Sequence, residues 1–379
     1  LLGFSSGRHG LRIYADGARR VAEALLDSAA NVDDVLTMNK WFGEAGMKTF
    51  AGAIVSLSRG AAAALALLAG FTAFSDRAHA QAYPAKPIRL VLPYSPGGIV
   101  DYVGRTLAQT LAGPLGQQVI AENRPGAGGI TGTDTVARSP ADGYTIVLMD
   151  PAIVINPTLQ PSMPYDLFKQ LTTVSIVSSS PLVLVVAPEL PIKAFDDLVR
   201  FGKANPGKLN FASAGIGTTP NLAGELLKLR TGVDATHIPY KSIGQSYPDL
   251  MSNKVQFAFS SIAGALPFTT DNRVRAIATT GAARNPVYPD LPTVVEAGLP
   301  GFEVDLWLGV FAPAATPPDV IARLNSAIGA ALKDPELAKA FAKVGALPRG
   351  TTAIDANAFV RAEHAKWKKV IEDAKIKLD

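Results

Sequence analysis

An α/β fold of two units is what this sequence predicts, and three observations carry the prediction. Short aliphatic strands alternate with amphipathic helices from residue 88 onward, which is the pattern of a largely parallel sheet flanked by helices. Three glycine-rich loops each stand between a strand and a helix start, at residues 94–98, 126–132 and 213–219. After a looser stretch at 151–180, an almost wholly aliphatic strand at 182–187 opens a second set of such units and reads as a crossing between lobes.

Taken in order, Ile88-Arg89-Leu90-Val91-Leu92 is the first strand, and Pro93-Tyr94-Ser95-Pro96-Gly97-Gly98 turns it into a helix over 100–111. Glycines there let a ligand approach the backbone, and the first helical turn offers unpaired N–H groups and a positive dipole end to an anion. A strand at 118–123 enters Pro125-Gly126-Ala127-Gly128-Gly129-Ile130-Thr131, which opens a helix at 133–138. This loop nearly matches the dinucleotide fingerprint, but Thr131 stands where the third glycine belongs, and no phosphate-loop lysine motif occurs. Asp142-Gly143 turns into a strand at 144–149.

The second unit begins with a helix at 195–204 and a strand at 209–212. The loop Ser213-Ala214-Gly215-Ile216-Gly217-Thr218-Thr219-Pro220 then leads into a helix with Thr219 as N-cap and Pro220 as its first residue. Strands at 235–238, 255–260 and 276–279, with a helix at 244–251, complete it, and Leu291-Pro292-Thr293 opens a short helix ending at Gly298. The last portion reads as one long strand at 303–311 and three amphipathic helices at 317–332, 334–344 and 357–374. The stripe Ile321, Leu324, Ile328 and Leu332 should pack back on the first unit.

Composition narrows the function. With 36 basic against 32 acidic residues among 379, the chain carries no strong basic cluster, which excludes nucleic acid as the expected partner. Cysteine is absent, so disulfides, thiol nucleophiles and thiolate metal sites are excluded. Four scattered histidines leave few candidates for a metal site or a triad, and neither a metal nor a cofactor is expected. A secreted hydrolase would have to use Ser213 or Ser260-Ser261 with His237; the one G-x-S-x-G match, Gly3 to Gly7, lies far upstream. A phosphate or other oxyanion receptor is the nearer alternative, since helix N-termini bind phosphate as well as carboxylate.

Near the N-terminus, Lys48 and Arg59 precede an Ala/Leu-rich run at 60–74, followed by Ser75-Asp76-Arg77-Ala78-His79-Ala80. This is the layout of a cleavable signal peptide beginning at Met47, too short to span a membrane, with cleavage after Ala80 and export to the periplasm. Residues 1–46 are then an upstream segment without a role in secretion.

Several motifs in order resemble one family. Tyr83-Pro84-x-Lys86-Pro87-Ile88-Arg89, Pro96-Gly97-Gly98-x-x-Asp101, Glu122-Asn123-Arg124-Pro125-Gly126-Ala127-Gly128-Gly129, Asp142-Gly143-Tyr144-Thr145, Pro239-Tyr240-Lys241 and Leu291-Pro292-Thr293-x-x-Glu296-Ala297-Gly298 are similar to the tripartite tricarboxylate transporter substrate-binding (Bug) family, over essentially all of 83–379. The resemblance implies a two-lobe periplasmic binding protein-like type II fold with a ligand cleft between lobes. The lobes would be 81–185 plus 304–379, and 186–303, with hinge crossings at 182–187 and 303–311.

It also implies a non-catalytic, monomeric receptor that holds a small organic acid on backbone N–H groups and delivers it to integral-membrane transporter subunits or a sensor. Carried over, the ligand-binding residues are Tyr94, Ser95, Gly97, Gly98 and Asp101 on the first loop. Gly128, Gly129 and Thr131 follow on the second, and Ala214, Gly215, Thr218, Thr219 and Asn221 on the third. Asp101 would meet a ligand hydroxyl or amine and set selectivity. Asn221 stands where the family often has histidine, and Ser242 where it usually has glycine.

Overall fold

The computed structural model describes residues 83–378. The upstream segment, the signal peptide and its cleavage site lie outside the described residues.

The strands form two sheets. The first is six-stranded, in the order β11-β4-β10-β3-β1-β2. Its strands are β1 (Ile88–Leu92), β2 (Val119–Asn123), β3 (Thr145–Met149), β4 (Leu171–Ser179), β10 (Leu308–Pro313) and β11 (Leu347–Pro348). The second is five-stranded, in the order β7-β6-β8-β5-β9, built from β5 (Leu182–Val186), β6 (Leu209–Ser213), β7 (Ala235–Pro239), β8 (Phe257–Ser261) and β9 (Arg275–Thr279). Each sheet has a parallel half, β2-β1-β3 in one and β7-β6-β8 in the other. The remainder is antiparallel: β10 on β3 and β4, β11 on β4, and β5 on β8 and β9. The sheets are therefore mixed: β10 and β11 return late in the chain to the first sheet, and β5, which opens the second, runs antiparallel to both of its neighbours.

Helices start where parallel strands end, which gathers their N-termini at one edge of each sheet. Helix α1 (Ile99–Leu115) buries Val100, Val103, Leu107 and Leu111 on the first sheet. Its Gly104 lies so close to β1 that a Cβ would sit 2.3 Å from the Leu92 side chain. Helix α2 (Ile130–Ala137) follows β2, and α3 (Ala152–Leu159) follows β3. In the second sheet α6 (Thr219–Thr231) follows β6 and α8 (Ile262–Thr270) follows β8.

Several elements differ from expectation for identifiable reasons. The stretch taken as loose holds α3, the short α4 (Leu167–Gln170) and β4. Hydroxyl residues hide that strand in the sequence, yet Thr173, Ser175 and Ser178 are buried. Asn357 brackets Thr173, and the Thr351 hydroxyl accepts from the Ile176 N–H. The 182–187 strand is not a crossing strand: β5 pairs on both sides within the second sheet, and the chain changes sheets at Ser180-Pro181. Nor is 303–311 one strand. An isolated bridge joins Asp305 to Pro181, and β10 begins only at Leu308. The N-cap of α6 is Thr218, and its hydroxyl is drawn off to donate to the Gly215 carbonyl. Residues 293–298 form a turn closed by reciprocal bonds between Thr293 and Glu296, with no helix.

Helices α5 (Phe195–Ala204) and α7 (Tyr247–Met251) cover the second sheet. On the first, α9 (Pro318–Ala331) and α10 (Pro335–Ala342) share an apolar cluster with α1. The C-terminal helix α11 (Ala353–Asp373) packs on β4 and α3 and also on α6, so it touches elements of both sheets. Its Trp367 belongs to an apolar cluster that takes residues from strands of both sheets.

Candidate ligand-binding site

A cavity of about 480 Å³ lies between the helix-start edges of the two sheets. From the first sheet come Tyr94, Gly128, Asp150, Ala152 and Asn156; from the second, Ala214, Gly217, Thr218, Thr219 and Ser261. Ile99, Ile155, Leu182, Ile216, Ile243, Leu306 and Val344 line it as well. No lysine, arginine or histidine is among the described residues lining it. The groups that this wall offers an anion are N–H groups, hydroxyls and helix dipoles.

Of the residues expected from sequence, Tyr94, Gly128, Ala214, Thr218 and Thr219 line the cavity. Ser95, Gly97, Gly98 and Thr131 are exposed and off the wall, while Gly129, Gly215 and Asn221 shape the loops behind it. Gly129 fits beneath Met149 and the Tyr94 hydroxyl, which a Cβ would meet at 2.5 and 3.1 Å. The buried Asn221 accepts from the Gly217 N–H at 3.0 Å, and the Ser213 hydroxyl accepts from the Gly215 N–H at 3.0 Å. At Gly217, φ is +77°, and the Leu159 side chain of α3 comes within 2.5 Å of where a Cβ would stand, so the two sides of the cavity touch there.

Asp101 is also off the wall. Its carboxylate accepts from the Gly97 N–H at 3.0 Å, the Arg105 guanidinium at 2.9 Å and the Asn123 amide at 2.9 Å. Burial raises its pKa, but those three donors outweigh burial and hold it below the usual carboxylate range. The Asn123 amide also donates to the Tyr94 carbonyl, so Asp101 braces the loop that carries Tyr94.

The acid that does face the cavity is Asp150, which sequence reasoning missed. Its Oδ1 accepts from the Tyr94 hydroxyl at 2.7 Å and from the Ala152 N–H, at the start of α3, at 3.1 Å. Burial pushes its pKa up, against the lowering effect of those donors, and burial beside Asp150 likewise raises Tyr94 well above its ordinary value. A signal was present: Met149-Asp150-Pro151 ends a parallel strand and opens a helix, the same junction that the glycine loops mark. Asn156, also missed, donates to the Gly128 carbonyl at 3.1 Å and fixes the second loop. Ser180 on the cavity wall is 5% exposed, and its hydroxyl has no partner among the described residues.

The serine–histidine pair considered for a hydrolase does form, with Ser213 Oγ 2.6 Å from His237 Nε2. Ser213 is fully buried, and no acid is hydrogen-bonded to His237 among the described residues. Burial, with Lys228 nearby, lowers the His237 pKa. The pair lacks both an orienting acid and access for a substrate. A larger cavity, about 590 Å³, lies beside the crossing segments, where Asp305 meets Ser179, the Ser180 N–H and Arg349, and Glu363 meets Lys366. The predicted loops do not reach it. Among the described residues no His/Cys/Asp/Glu group could hold a metal, and no helix is long and apolar enough to cross a membrane.

Two mixed sheets joined by two crossing segments, with helix starts from both facing one cavity, are the build of a two-lobe, periplasmic binding protein-like solute receptor. The chain belongs to the tripartite tricarboxylate transporter family receptors, whose family model (TctC) matches residues 103–376. BugT of Bordetella pertussis (strain Tohama I) is 38% identical over 301 residues, 79% of this chain and 92% of its own. Rpa4515 of R. palustris, solved with adipate, is 33% identical with a TM-score of 0.65, covering 78% of this chain and 99% of that one. The periplasmic binding protein BugD is 32% identical with a TM-score of 0.62, over 78% and 99%.

Proposed function

We propose that the chain is a periplasmic receptor that captures a small carboxylate in the interlobe cavity and hands it to the membrane subunits of a transporter, as a monomer and without chemical turnover. The observation that carries the reading is the cavity itself. Loops at helix starts from both sheets converge on it, and among the described residues no cationic side chain lines it. Such a wall suits a carboxylate held by neutral donors, and the adipate-bound relative supports a small organic acid as ligand. The lobes move about the crossings at 180–182 and 303–307, with Tyr94 and Gly128 contributed by one side and Ala214, Thr218 and Thr219 by the other. Export follows cleavage after Ala80.

A thermal-shift screen of organic acids on residues 81–379, with chelator present and inorganic phosphate as a comparison, tests the reading. An acid at 100 times its Kd stabilises the protein by about 2.7 kcal/mol and is recovered unchanged. Stabilisation by phosphate alone, or recovery of an altered compound, overturns it. N-terminal sequencing of exported protein checks the leader: the first residue is expected at or near Gln81.

A further inference from the structure

Resting on that reading, the identity and placement of Asp150 narrow the ligand class. The cavity has a polar side from each sheet, and the aliphatic Ile155, Leu182, Ile216 and Leu306 also line it. At the second-sheet end, α6 starts without a side-chain cap, leaving its first-turn N–H groups and the Thr218 and Thr219 hydroxyls for an anion. At the first-sheet end the corresponding place is already taken, because Asp150 sets its own carboxylate on the α3 start and under the Tyr94 hydroxyl. Its second oxygen takes no hydrogen bond from another described residue. Among the described residues no positive side chain lines the cavity to offset a further negative charge beside it.

We infer that this cleft selects an acid with one carboxylate, an apolar body, and a hydroxyl or ammonium donor at the far end, and discriminates against dicarboxylates. The carboxylate goes to the α6 end, and the donor goes to the open oxygen of Asp150. While Asp150 is ionised, a second carboxylate at that end faces like charge in a wall of low polarity, which is a repulsive element built into the site. Burial disfavours a charged Asp150 in the empty cleft, and a donor on the ligand relieves that cost.

Calorimetry with four six-carbon acids, namely hexanoate, ω-hydroxyhexanoate, ω-aminohexanoate and adipate, tests this on wild type and Asp150→Asn at one pH and ionic strength. In wild type the hydroxy and amino acids bind at least about tenfold more tightly than adipate. In Asp150→Asn the amino acid loses about tenfold or more, while adipate gains and comes within about threefold of the hydroxy acid. Thermal unfolding of the empty variant confirms the fold, and Asp150→Ser, which keeps a small polar group without charge, serves as a second variant. Adipate binding as tightly as the hydroxy acid in wild type overturns the inference and leaves the carboxylate reading standing. Failure of all four acids, with the uncharged hexane diol binding instead, overturns the carboxylate reading too.

Discussion

Replacing Glu363 measures what ties the C-terminal helix to the crossing between the sheets. Glu363 is 7% exposed, and its Oε2 accepts both the Trp307 indole N–H at 3.0 Å and the Trp367 indole N–H at 3.0 Å. Both indoles are fully buried; Trp307 lies just before β10 and Trp367 on α11. Glu363→Ala leaves two buried donors without an acceptor, at about 1–3 kcal/mol each, so the expected loss is about 4 kcal/mol. Lys366 adds little, since it still donates to the Glu303 carbonyl at 3.0 Å and keeps contact with water. Glu363→Gln keeps an oxygen for the indoles and loses the charge assistance and the lysine partner, about 1–2 kcal/mol. Urea unfolding of residues 81–379 followed by tryptophan emission reads the difference directly, because Trp307 and Trp367 are the two tryptophans of that span. Thermal unfolding of the alanine variant should fall by roughly 10 °C. Equal midpoints for Ala and Gln would refute the idea that the shared acceptor is what matters.

Asp101→Ala strips the acceptor from Gly97, Arg105 and Asn123. It should cost about 2 kcal/mol and weaken every acid alike, since the Tyr94 loop loosens, whereas a loss confined to hydroxy or amino acids in titrations would return a direct ligand contact to Asp101. His237 has a folded pKa below its unfolded value of 6.5, so the unfolded state binds the proton first. Its contribution is complete above that value and declines as pH falls below it; His237→Asn should flatten urea midpoints between about pH 5 and pH 7 relative to wild type. Gly217→Ala strains a φ of +77° and presses on Leu159 where the two sides meet. We expect affinity for all acids to fall by about fivefold, from roughly 1 kcal/mol of left-handed strain, with a larger radius of gyration by small-angle scattering in the presence of ligand; an unchanged radius and affinity would count against closure at this contact.

Local chemistry was enough to mark the units that position the site. Aliphatic strands, Gly-Gly and Pro-Gly punctuation and polar helix starts are nearest-neighbour signals, so β1 with α1 and β6 with α6 could be located from residues a few positions apart. Strand β4 could not, because its hydroxyls read as loop until Asn357 and Thr351, more than 170 residues away, satisfy them. Helix α11 shows an amphipathic stripe in the sequence, but only the packed chain shows that it touches elements of both sheets. The choice between the two aspartates was likewise made by tertiary structure. Asp101 and Asp150 both stand at strand-to-helix junctions, and nothing within either segment distinguishes them. Asn123 and Arg105 close around Asp101 and remove it from the cavity. Asp150 has one oxygen that takes no bond from another described residue and lies on a cavity lined from both sheets, which exists only once long-range packing has brought them together.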